Sequence, residues 1–137
     1  MFNLSAKADY GLTAIMDLAS RDRRYPVQIR DLAEQHSIPQ HYLEQLLVAL
    51  KRKGIVQSYR GARGGYMLAA HPSEIRVLDV LDALDGPINL LPDKRKNSAI
   101  AFYMRDVEKE LISALDISVE ALLLLKQKND EQFIYTI

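Results

Sequence analysis

The chain contains no cysteine. That absence excludes disulfides, thiolate metal sites and cysteine nucleophiles, and it agrees with a reducing compartment. No apolar run approaches the ~18 residues needed to span a bilayer. The start, MFNLSAKADYGL, also lacks the charged, apolar and small-residue order of a signal peptide. The expectation is a cytoplasmic protein with no membrane partner. Net charge is absent too, with 18 basic and 18 acidic residues. Taken alone, neutrality argues against a polyanionic partner. The distribution reverses that argument. Residues 1–70 hold ten Lys/Arg against six Asp/Glu, a net of +4, and residues 71–137 hold eight against twelve, a net of −4. Such a split between halves points to a nucleic acid held by the basic half.

What is present suits one compact domain of 137 residues, 48% of them hydrophobic. Ala8, Leu12, Ile15 and Ala19 recur at helical spacing, with Ser5 placed to cap. The charged segment RDRRYP ends this helix at a proline. A short helix follows over residues 28–36, with Ile29, Leu32 and Ala33 on one face, and SIP makes a turn. Leu43, Leu46, Leu47 and Leu50 predict a third helix over residues 40–53. Lys51, Arg52 and Lys53 suit its C-terminal dipole, and Gly54 is the expected stop.

Two brief strands, IVQSY and GYMLA, then flank the loop of SYRGARGGYML and read as a β-hairpin. EIRVLDVLDAL predicts a fourth helix, and DGPINLLPDKRKN a loop. A long helix starts near Asn97 or Ser98. Its Ile100, Met104, Val107, Leu111 and Ala114 alternate steps of four and three, as a dimerisation seam does. Ser118 caps a last short helix containing ALLLLK. The tail EQFIYTI is read as a strand or as disordered.

Three helices followed by a hairpin is the order of a winged helix-turn-helix. In that module the third helix enters the DNA major groove, and the wing reaches an adjacent minor groove. Arginines on a glycine-rich tip fit this role, because glycine lets the backbone come close and guanidinium seeks phosphate or a narrow minor groove. The plainer alternative is a solvated hairpin tip. The third helix exposes Gln40, His41, Glu44, Gln45 and Val48. A carboxylate can accept from cytosine N4 and a glutamine can pair with adenine, so Glu44 is the first candidate for base readout and Gln45 the second. Lys51 and Arg52 are candidate phosphate contacts, which dipole compensation explains equally well. Arg60 and Arg63 are the candidates on the wing.

KADYGLTAIMDLA, IRDLAEQHSIPQHYLEQLLVALKRKGIVQSYRGARGGYMLA and IRVLDVLDALDG together resemble the Rrf-type family of bacterial transcriptional regulators, which includes IscR-, NsrR- and CymR-like proteins. The likeness is strong over residues 1–86 and looser over the long helix. YLEQLL followed by GIVQSYRGARGGY carries most of it. The resemblance implies a mainly α fold, a winged helix-turn-helix of three helices and a hairpin with a long C-terminal dimerisation helix. It implies a homodimer on double-stranded, pseudo-palindromic DNA. It also implies base contact by Glu44, minor-groove insertion by Arg60 and a DNA-proximal Tyr42, a residue that packing under the helix explains as well. The boundary implied lies at residue 72, with the winged helix-turn-helix before it and the linker helix, loop and dimerisation helices over residues 73–137.

The chain departs from the family in one chemical respect. Well-known members hold an iron–sulfur cluster through three cysteines before the long helix. The stretch here, GPINLLPDKRKNSAI, has none, and Ser98 stands near the last of them. A hydroxyl is a poor substitute for a thiolate. Asp9 matches a carboxylate ligand of the nitric-oxide-sensing branch, but ligands come in sets, so it reads as a surface acid. No cofactor or metal is expected, and an effector, if present, is a small molecule or partner protein. Pro39 and His41 replace small polar residues at the start of the third helix, so the operator should differ.

No enzyme is expected. His36, His41 and His71 show no metalloprotease spacing, RGARGGY lacks the lysine–serine ending of a P-loop, and no nucleophile elbow is present. Asp79 and Asp82 lie opposite the core of their helix. The competing function is a protein-interaction module that keeps the winged-helix shape without specific DNA binding.

Overall fold

A computed structural model describes residues 3–91 and 98–136. The elements run α1 (Ala6–Ser20), α2 (Ile29–His36), α3 (Gln40–Arg52), β1 (Val56–Tyr59), β2 (Gly65–Leu68), α4 (Val77–Asp85), α5 (Ala99–Leu115) and α6 (Val119–Thr136). This is the mainly helical winged-helix order expected. The Ser5 hydroxyl caps α1 by accepting from the Ala8 N–H at 3.0 Å. The leucine stripe of α3 is buried as its spacing requires. Gly54 ends α3 in the left-handed region at φ 75°. There the Ile55 N–H reaches back to the Leu50 carbonyl at 3.0 Å and the Gly54 N–H to Lys51 at 2.9 Å, a Schellman ending.

One core joins these elements. Ile15, Leu32, Leu43, Leu47, Leu50, Val56, Val80 and Val119 are its largest fully buried side chains. Each contributes about 1.5–3 kcal/mol, against about 0–1 for an exposed ion pair, so packing rather than surface charge holds the fold.

One polar group is buried with that core. The Asp17 carboxylate accepts from Arg21 Nε at 3.0 Å and lies 3.7 Å from His36 Nε2, which ties α1 to the end of α2. His36 Nε2 forms no hydrogen bond among the described residues, so the Asp17 carboxylate is the charge nearest to it. Asp17→Ala therefore strands Arg21 Nε and His36, and should destabilise the protein by about 1–3 kcal/mol in urea denaturation. An unchanged midpoint would show that the tie contributes nothing.

Two expectations need correction. The fourth helix begins at Val77 rather than at Glu74. Residues 72–74 form a 3₁₀ turn, and Ile75 and Arg76 are extended because they pair with the strand-like link before α6. The Val77 N–H donates to the Ile117 carbonyl and the Val119 N–H to the Ile75 carbonyl, both at 2.8 Å. The tail EQFIYTI, described up to Thr136, is neither strand nor irregular over those residues. They continue α6, an 18-residue helix with no glycine or proline within it. Lys126 and Asp130 form an i,i+4 pair on it at 2.9 Å. Ser118 does cap this helix, accepting from the Ala121 N–H at 3.0 Å.

Candidate nucleic-acid interface

The turn between α2 and α3 is sharp because Ser37 takes the left-handed conformation at φ 54° and Ile38 drops into the core. Pro39 precedes α3 and makes no side-chain cap. With its leucines buried, α3 turns Gln40, His41, Glu44, Gln45 and Val48 outward. Gln45 Nε2 and His41 Nε2 lie 3.3 Å apart, so these two hold each other on the exposed surface. The Glu44 carboxylate lies close enough to the hairpin to affect it. Burial first, and the Glu44 charge second, push the Tyr66 phenol above its ordinary pKa.

Tyr42 does not join that face. Its ring meets the Tyr10 ring edge-on, with centroids 6.0 Å apart and an 86° interplanar angle, and packs against the core. Lys51 also has a role inside the protein. Its ammonium donates to the Ser58 hydroxyl at 2.6 Å, which ties the end of α3 to β1. Arg52 is exposed beside it.

The hairpin is antiparallel, with Val56 opposite Leu68 and Tyr59 opposite Gly65. It is not a free arm. Val27, just after the α1–α2 turn, exchanges backbone hydrogen bonds with Tyr66 at 2.9 and 2.8 Å, adding a one-residue third strand. Gln28 Nε2 donates to the Ala62 carbonyl at the tip, at 3.1 Å. Gly65 permits this contact. Its φ is 143°, and a Cβ there would lie 2.3 Å from the Val27 carbonyl oxygen. The wing is thus fixed to the helix-turn-helix, and Arg60 and Arg63 at its tip are exposed without an ion pair among the described residues. Gln40 of α3 and Tyr59, Gly61, Ala62 and Gly64 of the wing line one open cleft of about 430 Å³.

Sequence reasoning missed Val27, Gln28 and Ser58 as supports of the site. Their partners are distant in the chain, and no local pattern marks them.

A recognition helix with a polar outer face, held beside an arginine-tipped wing, defines a winged helix-turn-helix transcriptional regulator. The chain belongs to the Rrf2 family, described as iron-dependent transcriptional regulators, whose profile matches residues 4–124. It is 34% identical to the regulator CymR of Bacillus subtilis over 115 residues, 81% of this chain and 83% of CymR. The structure of that CymR superposes with a TM-score of 0.79 at 31% identity, covering 91% of this chain and 98% of the other. IscR of T. potens superposes with a TM-score of 0.78 at 32% identity, covering 98% and 96%. A Photorhabdus laumondii IscR is 40% identical over 86 residues, which is 63% of this chain and 52% of that protein.

The donor set here does not fit an iron–sulfur cluster. The chain has no thiol, and among the described residues no three His, Asp or Glu side chains converge. Asp9 is exposed on α1. Ser98 is used to cap α5, accepting from the Ala101 N–H at 3.1 Å.

Proposed function

We propose that this DNA-binding regulator acts as a homodimer on a two-fold-symmetric operator, without an iron–sulfur cluster. The observation that supports the reading is the cleft lined by Gln40 at the start of α3 and by Tyr59, Gly61, Ala62 and Gly64 of the wing, which joins the third helix and the hairpin in one surface. Glu44 and Gln45, with Gln40 and His41, read base edges. Arg60 enters the minor groove, and Arg63, Lys51 and Arg52 meet phosphates. Tyr42 supports the helix from beneath.

Dimerisation is supported by α5. Only Ala101 of its 17 residues is buried. Ile100 is 61% exposed, Phe102 72% and Tyr103 66%, while Met104 and Val107 are half-buried and Leu111 is exposed. So much apolar surface on one helix calls for a partner, and a second copy supplies the same stripe. The dimer would also present the basic half twice to one DNA duplex.

The effector, a small molecule or a partner protein, would act where α1, α4 and α5 meet. Leu4, Ala8, Leu81, Ile88, Leu111 and Leu115 line an open, mainly apolar cavity of about 830 Å³ there. Residues 86–90, the start of the loop before α5, border this cavity, and residues 92–97 of that loop lie outside those described.

Arg60→Ala tests the contact scheme. Operator affinity should fall by about 1–3 kcal/mol, with weaker discrimination at one position of each half-site, in a fluorescence-anisotropy titration. Equal affinity and discrimination would remove Arg60 from the interface. Salt-insensitive binding no tighter than micromolar would favour the protein-interaction module instead.

A further inference from the structure

A second groove lies between the α1–α2 link and the tip of the wing. Tyr25, Gln28, Arg30, Asp31, Arg63 and Gly64 are among its walls, and its volume is about 860 Å³. Gln28, Arg30, Ala62 and Gly64 border both this groove and the cleft facing α3, so the two share a wall at the wing tip. The backbone pairing of Val27 with Tyr66 holds the two walls in fixed relation.

The charges around this groove are unequally committed. Arg21 is held by Asp17 and Gln35. Arg24 is held by Asp22 at 2.8 Å, and its side-chain and backbone hydrogen bonds lower the Asp22 pKa to about 2, so that pair stays ionised at any working pH. Asp31 is the remaining acid. It sits 3.9 Å from Arg30, whose side chain is 66% exposed, and a contact so long and wet costs little to exchange for phosphate. Arg63 has no ion pair among the described residues. The groove therefore offers Arg30 and Arg63 as exposed, available cations. It is an open track without a buried polar anchor. That form suits a continuous phosphodiester backbone better than an enclosed small anion.

We propose that this groove seats the DNA backbone flanking the core operator, through Arg30 and Arg63. The inference rests on the DNA-binding reading above and extends it. A duplex that meets α3 in its major groove and Arg60 in the next minor groove continues past the tip of the wing, where these guanidinium groups stand. Arg30 belongs to the first turn of α2, and nothing in the core requires it.

The test compares two duplexes carrying the same core motif, selected from random DNA by the full-length protein. One ends two base pairs beyond the core and the other about ten, one further helical turn. Wild-type protein should bind the long duplex about tenfold more tightly, with a steeper dependence of log K on log salt. Arg30→Ala should cancel most of that advantage and lower the salt slope on the long duplex by about two for the dimer, so that the long duplex loses clearly more affinity than the short one. Lys128→Ala removes the same charge from exposed α6 and should keep the full flank advantage. Equal wild-type affinity for both duplexes overturns the inference and leaves the DNA reading intact. So does an Arg30→Ala loss of the same size on both. If millimolar inorganic phosphate, matched for ionic strength with chloride, shifts wild-type affinity equally on both duplexes and Arg30→Ala removes that shift, the groove holds a free anion instead. Absence of specific binding to either duplex defeats both readings together.

Discussion

Val107→Glu should turn the protein into a folded monomer and reduce operator affinity by about 10²–10⁴-fold, the loss expected when two half-sites are no longer engaged together. Val107 sits mid-way along α5 in the stripe from Ile100 to Leu111, half-covered by its own chain. In a two-fold dimer the substitution places two carboxylates, one from each copy, into an apolar contact. Each would be desolvated beside a like charge, which costs several kcal/mol. Sedimentation velocity at micromolar concentration reads the assembly, and a thermal melt shows whether the monomer stays folded. Ile100→Glu is the companion variant. Ile100 lies in the first turn of α5, where a carboxylate suits the helix dipole, so it should break the dimer without harming the fold. A Val107→Glu protein that still sediments as a dimer would place the interface elsewhere.

Gly65→Ala should unseat the wing. The φ of 143° is one that residues with a Cβ rarely adopt, and the new methyl would meet the Val27 carbonyl oxygen at 2.3 Å. The atom in the way is backbone, so either the hairpin or the α1–α2 link must move. Strain at such a position costs about 1–3 kcal/mol, and loss of the Val27–Tyr66 pair brings the expected destabilisation to about 3 kcal/mol. Operator affinity should drop by about tenfold or more even where the protein remains folded, because Arg60 loses its fixed base. Urea denaturation and an anisotropy titration read the two effects separately. Stability within about 0.5 kcal/mol of wild type would show that the wing is not held as described.

Much of this could be read from local patterns. The leucine spacing of α3 locates the buried face and thereby the exposed one that carries Glu44. The glycine-rich stretch between two short β-prone runs locates the wing and its arginines. The four–three spacing of α5 marks its apolar stripe, although Phe102 and Tyr103, the most exposed aromatics on it, fall outside that spacing.

What could not be read depends on partners far away in the chain. Tyr42 has two readings from the sequence, DNA-proximal or packed under the helix, and no local pattern marks its ring contact with Tyr10, 32 residues earlier. EIRVL has helical spacing, but pairing with residues 117–119 keeps Ile75 and Arg76 extended. Local composition made RDRRYP a helix breaker. Only the pairing of Val27 with Tyr66 shows that this segment leads into a strand held against the wing. The tail differs for another reason. EQFIYT contains β-branched and aromatic residues, and helix propagation along α6 outweighs their weak local preference.

The central claim is sequence-specific recognition by a two-fold dimer, and selection from a random double-stranded DNA pool by the purified full-length protein tests it most directly. The account predicts enrichment of one motif with two inverted half-sites spaced by a helical turn, and loss of that enrichment in Glu44→Ala and Arg60→Ala proteins. A pool that stays random through successive rounds, with binding that depends on neither salt nor these two residues, would contradict it.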